Sequence, residues 1–261
     1  MENFCGRMTN CEEKQVFKKN KENNMNLIFI RHAEPDYTID SLTEKGFREA
    51  EMLANRTKDW KVDEVYVSPM GRAQDTASFS LKNWDITPVT YDWLQEFYYR
   101  IDDPITGEKR IAWDFMPEYF TVQHDLHDKN RWADTKAMKS GNLGGYYNSV
   151  VEGLNGILAR HGYIAKGNGL FEVEKHSDEN IVFFCHLGVT FAMIGYMTQI
   201  APPALWQGFF VPPTGVMIMG SEERDPKKAV FRMMNFGDIR HLPMQGEEIS
   251  QSGYFAPIFQ Q

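Results

Sequence analysis

Cysteine is scarce in this chain: there are three, Cys5, Cys11 and Cys185, an odd number with no CxxC or other metal-ligand spacing. A disulfide framework and a thiolate metal centre are thereby excluded, and a reducing, cytoplasmic compartment is expected. Long hydrophobic runs are also missing. The most apolar late stretch, 188–200, is interrupted by Thr190 and Gln199 and falls short of the ~18–20 residues of a membrane span, so no membrane association is expected. Positive charge is in deficit, with 28 Lys and Arg against 36 Asp and Glu and a net charge of −8, which argues against nucleic acid as a partner. Residues 1–24 carry Lys14, Lys18, Lys19 and Lys21 but no apolar signal-peptide core. They read as a mobile tail, or as an upstream start before Met25. No internal repeat or low-complexity tract is present.

What is present suits an ordinary globular α/β chain: 42% of the 261 residues are hydrophobic and 13% aromatic. Asn26 to Ile30 is a continuous apolar run, the pattern of a strand buried on both faces of a parallel sheet. A helix is expected after it, started by Ser41 or equally by Thr43, with Phe47, Ala50, Leu53 and Ala54 recurring at helical intervals. Val62 to Val67 reads as a second strand, broken by Ser68-Pro69 before a helix that carries Arg72, Ala73, Thr76 and Ala77. Thr87 to Tyr91 is a third candidate strand and Asn180 to Cys185 the clearest central one. Gly215 to Met219 and Ala229 to Met234 read as an antiparallel hairpin at one sheet edge, which makes the sheet mixed. Between Tyr98 and Gly145 the periodicity fails, and an insertion is expected before an amphipathic helix from Tyr146 to Ala159.

Ligands of open α/β sheets sit beyond the carboxyl ends of the strands. Two histidines, His32 and His186, directly follow the two clearest strands, while Arg31 adjoins the first and Arg72 opens the helix after the second strand. Together these groups describe an anion trap that contains a nucleophile. The Arg-His pair alone says little, because Arg160-His161 and Arg240-His241 also occur. Arg160-His161-Gly162 ends a helix and reads as an ordinary C-terminal cap.

In this context the sequence resembles the histidine phosphatase superfamily, in its phosphoglycerate-mutase-like branch. The matching pieces are Leu27 to Glu34 (LIFIRHAE), Leu42 to Gly46 (LTEKG), Ser68 to Ala77 (SPMGRAQDTA), Leu94 to Glu96 (LQE) and Phe184 to Gly188 (FCHLG), in family order. The resemblance implies a three-layer α/β sandwich over residues 25–261, with a mostly parallel mixed sheet, helices on both faces and an aromatic-rich insertion at about 99–145. It also implies that His32 accepts the phosphoryl group, that Arg31, Arg72 and His186 hold the phosphate, and that Glu96 donates the proton. Asp92, Asp102 and Asp103 remain nearby alternatives for the proton donor. The other branch of the family places an aspartate after the second histidine, where this chain has Leu187.

The residues suit the chemistry. A neutral imidazole is a competent nucleophile, guanidinium groups stabilise charge on the transferring group, and neither a metal nor another cofactor is needed. The short loop 33–40 lacks the contacts of a phosphoglycerate mutase, so hydrolysis of a small phosphorylated metabolite is the expected reaction. A mutase and a catalytically silent phospholigand-binding protein are the alternatives. The insertion aromatics Tyr98, Tyr99, Trp113, Phe115, Tyr119, Phe120 and Trp132 suggest a lid favouring a substrate with a ring or an apolar portion, or equally a satellite core. Glu34 is a candidate partner for an arginine; Arg100, Lys109 and Arg110 read first as solvated surface, with further anion contacts as the alternative. Asn235 and His241 are expected to be structural, and Cys185 to be core.

Overall fold

The apolar runs of the sequence become the middle of one large sheet. The computed structural model describes residues 24–114, 117–225 and 227–254. Cys5, Cys11, Phe115 and, apart from Asn24, the expected mobile tail lie outside the described residues.

The main sheet has eight strands: β1 (Asn26–Arg31), β2 (Glu64–Val67), β3 (Val89–Thr90), β4 (Tyr163–Gly167), β5 (Leu170–Val173), β6 (Asn180–Cys185), β7 (Val216–Asp225) and β8 (Lys228–Asp238). Their spatial order is β3-β2-β6-β1-β7-β8-β5-β4. The neighbours β3, β2, β6 and β1 run parallel, and the remaining pairs are antiparallel. Strands β1 and β6 are apolar on both faces because both faces are covered. Leu27, Phe29, Ile181, Phe183 and Cys185 point to one side, and Ile28, Ile30, Val182 and Phe184 to the other.

Helices α1 (Glu44–Thr57) and α2 (Gly71–Leu81) cover the second side through Leu53, Ala73 and Ala77. Helices α3 (Leu143–Arg160), α4 (Leu187–Thr198) and α5 (Pro202–Gly208) cover the first through Leu154, Ile157, Val189, Phe191 and Trp206. Each leucine, isoleucine, valine or phenylalanine among them, fully buried, contributes about 1.5–3 kcal/mol. This is the three-layer sandwich with a mixed sheet that the sequence led us to expect. Among the described residues, no helix is long and apolar enough to cross a membrane.

Several details differ from the sequence reading. Thr43 is the cap of α1, its hydroxyl accepting from Gly46 N–H at 3.0 Å, whereas Ser41 donates to Asp75 Oδ2. Phe47 is exposed and meets Phe79 rather than the core. The β7–β8 hairpin lies inside the sheet, because β4 and β5 extend the sheet beyond it. These two strands escaped the sequence reading because they are short and Lys166, Gly167 and Glu172 break the apolar alternation; β4 is the edge strand, where exposure to water makes this cheap.

The insertion does not form a separate body. Trp132 is buried edge-on against Trp206 of α5, at 5.7 Å between ring centroids, and Ile101, Leu126 and Met138 join the same core as β1 and β6.

Candidate active site

Three parallel strands deliver the central groups. The register pairs Arg31 of β1 with Cys185 of β6, and Phe184 of β6 with Val67 of β2, so His32, His186 and Ser68 leave the sheet side by side. The rings of His32 and His186 are 5.1 Å apart, centroid to centroid. Ser68 Oγ lies 2.8 Å from His186 Nε2 and accepts from Met70 N–H. Arg31, Arg72, Glu96 and both histidines are buried, so the five residues singled out in the sequence do converge.

The hydrogen bonds define the state of each group. His32 Nδ1 is 2.7 Å from the Ala33 carbonyl. A carbonyl can only accept, so Nδ1 carries the proton and Nε2 is left with the lone pair. Burial, followed by the charges of Arg31 and Arg72, holds the His32 pKa well below the ordinary histidine value. The pKa of His186 is lowered in the same direction, by burial and then by His32, Arg72 and Arg31. Its Nδ1 is buried with no partner, as are Arg31 Nε and Arg72 Nε. The three belong to mutually interacting residues, and buried polar nitrogens of this kind are costly unless they find partners.

Arg31 is anchored from behind, donating from Nη1 to the Val211 carbonyl at 2.6 Å and from Nη2 to the Ser252 carbonyl at 3.3 Å. Arg72 donates to Asp40 Oδ1 at 2.5 Å, and the other oxygen of Asp40 accepts from Gly71 N–H at the start of α2. The ring of Tyr37 lies 5.4 Å from the Arg72 guanidinium carbon. Tyr37, Asp40 and Ser68 are site residues that the sequence reading did not single out. Asp40 has φ 49°, in a region that aspartate tolerates better than most residues.

Glu96 Oε1 accepts from Phe97 N–H at 2.7 Å and from Val189 N–H at 3.3 Å. Burial raises its pKa, opposed by those N–H groups and by the two arginines. The glycine of His186-Leu-Gly188 makes room for this carboxylate, since a Cβ there would lie 2.6 Å from Glu96 Oε1. Gly188→Ala is expected to leave the fold intact by circular dichroism and to lower kcat by on the order of 10–10²-fold through displacement of Glu96. An unchanged kcat would show that the carboxylate position is not critical.

Other expectations need correction. Glu34 meets no arginine; its carboxylate accepts from the hydroxyls of Thr43 and Ser250. Lys109 pairs with Asp102 and Arg110 with Asp103 within the insertion. His241 has the structural task expected of it. Arg56 Nη1 donates to its Nδ1, and its Nε2–H donates to Thr214 Oγ1, whose residue in turn offers its N–H to the carbonyls of Arg31 and His32. The Cys185 thiol is buried and its pKa is pushed up to about 12, so it belongs to the core. Among the described residues, no three His, Cys, Asp or Glu side chains are grouped to hold a metal ion.

Under the site lies Glu49, fully buried, with Oε2 accepting from Glu34 N–H and Oε1 unpartnered. Burial raises its pKa to about 7. An acid raised in the folded state costs stability as pH climbs from its unfolded value near 4.5 through 7, in total about 3 kcal/mol. Glu49→Gln is therefore expected to stabilise the chain by roughly 1–3 kcal/mol at pH 8 and little at pH 4.5. Denaturant titrations at the two pH values measure the difference, and equal shifts at both would contradict it.

Comparison with known proteins agrees with this geometry. Residues 27–131 match the family model of the histidine phosphatase superfamily (branch 1). A phosphoserine phosphatase mutant from Entamoeba histolytica, solved with phosphoserine, superposes with a TM-score of 0.56 at 17% identity, over 84% of this chain and 99% of that one. The α-ribazole phosphatase from Shigella flexneri gives 0.52 at 20% identity, over 82% and 97%. No curated protein matches the chain by sequence. The likeness to the histidine phosphatase superfamily is thus a finding, carried by the family model and by a fold shared with phosphatases of the phosphoglycerate-mutase type.

Proposed function

We propose that this chain is a phosphomonoesterase that works through a phosphohistidine on His32, without a metal ion, on a small phosphorylated molecule. The observation that carries the reading is the His32 ring: tied through Nδ1, kept neutral by burial and two arginines, and facing His186 at 5.1 Å. Nε2 attacks phosphorus while the ester P–O bond breaks, and Glu96 gives its proton to the departing oxygen. Glu96, now a carboxylate, takes a proton from water, whose oxygen forms the new P–O bond as the N–P bond breaks and its electron pair returns to Nε2. Arg31 and Arg72 stabilise charge on the equatorial oxygens, with their unpaired Nε–H groups available as donors. A phosphate dianion beside His186 raises the pKa of that imidazole, turning it into a further cationic donor.

Hydrolysis is favoured over a mutase by loop 33–40. Its ends pair as Pro35–Asp36 against Ser41–Leu42, and it contains no Lys, Arg, Asn or Gln to grip a carboxylate-bearing substrate. The test is phosphate release from a labelled aryl phosphate in excess EDTA, with rapid quenching to trap label on the protein. Turnover with acid-labile, base-stable label is expected. Interconversion of phosphoglycerates faster than phosphate release would make it a mutase, and neither turnover nor label would make it a binding protein.

A further inference from the structure

A cleft of about 190 Å³ adjoins the anion-binding groups on the side of Glu96. Its walls are ring faces and aliphatic surface: Trp113, Leu187, Trp206, Phe209, Phe210 and Tyr254. Leu187 follows His186 directly, and the Phe210 ring lies 5.3 Å from the Arg31 guanidinium carbon. Trp113 Nε1 would lie 3.2 Å from a Cβ on Gly188, beside the Glu96 carboxylate. Residues of the cleft thus lie next to both the Glu96 carboxylate and the Arg31 guanidinium.

The two indole N–H groups of this wall and the Gln207 amide are held by carbonyls, which leaves the Tyr254 hydroxyl as the further side-chain polar group of the described lining. Trp113 Nε1 donates to the Phe97 carbonyl, Trp206 Nε1 to the Gly188 carbonyl and Gln207 Nε2 to the Trp113 carbonyl. No charged side chain is among the described lining residues. An ammonium or carboxylate placed here would lose its hydration and meet no opposite charge among the described lining residues, whereas a flat apolar group would bury its faces against rings. The volume is below the roughly 300 Å³ of a drug-sized site, which limits the group to about one ring system.

We infer that the substrate's leaving group is an uncharged alcohol bearing an aromatic ring, seated between Trp113 and the tilted ring pair of Phe210 and Tyr254. The inference rests on the phosphatase reading above and adds the class of substrate. Of the described insertion aromatics only Trp113 lines the cleft; the opposite wall comes from α5, the residues after it, and the C-terminal segment. With Leu187 of α4, discrimination is thus built from four separate parts of the chain, not from a lid of insertion residues alone.

The experiment compares substrates of similar leaving-group basicity: benzyl phosphate, ethyl phosphate and phosphoserine. The expected result is a kcat/KM for benzyl phosphate at least about tenfold above the other two, with the benzyl-to-ethyl ratio falling several-fold in Trp113→Ala and in Tyr254→Ala. Calorimetric binding of 2-phenylethylphosphonate and propylphosphonate to the wild type reads the same wall without turnover. Tighter binding of the phenyl compound with no hydrolysis of any ester would uphold the wall and remove the phosphatase reading. Turnover with equal kcat/KM values, or equal phosphonate affinities, would overturn the inference and leave the phosphatase reading standing.

Discussion

His32→Ala is expected to lower phosphate release by roughly 10⁴-fold or more and to remove the acid-labile label entirely. In the proposed mechanism every turnover passes through an N–P bond at Nε2, and no second nucleophile is placed to replace it. His186 is the nearest imidazole, 5.1 Å away by ring centroids, but its Nε2 is engaged with Ser68 Oγ. Removal of the ring leaves a cavity bordered by two guanidinium groups, so added imidazole should enter it and restore a measurable part of the turnover. Retained label in the variant would place the phosphoryl group on another residue. Unaltered turnover would remove the phosphohistidine route.

Glu96→Gln is expected to cost roughly 10²–10⁴-fold in kcat/KM, which reads the step that expels the leaving group, for an alkyl phosphate, and clearly less for 4-nitrophenyl phosphate, whose leaving oxygen needs no proton. The contrast separates proton donation from a merely structural task, which would slow both substrates alike. The pH dependence has a definite sign. Burial raises the Glu96 pKa, so the acid form persists to higher pH than for an exposed glutamate, and the first step slows as pH rises through that value. The variant should lose this alkaline limb. Gln retains an acceptor for Phe97 N–H and Val189 N–H, so the site should keep its shape; equal losses for the two substrates would reassign Glu96 to a positioning task.

Much of the site was legible because its chemistry follows directly on hydrophobic strands. Asn26 to Ile30 and Asn180 to Cys185 announce themselves as doubly buried, and a polar residue just beyond such a strand must lie at the sheet's carboxyl edge. Arg31, His32 and His186 follow from that rule, and Arg72 from the strand-turn-helix repeat. Glu96 came from the family resemblance, since nothing local marks it: it sits in an irregular stretch after Leu94, and only its burial beside Gly188 distinguishes it from Asp92. Tyr37, Asp40 and Ser68 carried no signal of their own. An aspartate in a short loop reads as turn chemistry, and only the packing of that loop on α2 turns its carboxylate toward Arg72.

The sequence by itself determined much of the alternation of strands and helices, the doubly covered centre of the sheet, and the set of groups to which the proposed phosphoryl transfer is assigned. These depend on near neighbours along the chain, where hydrophobic period and turn chemistry act directly. Tertiary structure alone decided the strand order, the interior place of the β7–β8 hairpin, the burial that neutralises both histidines, and the ring-walled cleft beside Glu96. Each of these depends on which distant segments exclude water from one another, and that is settled only when the whole chain has packed.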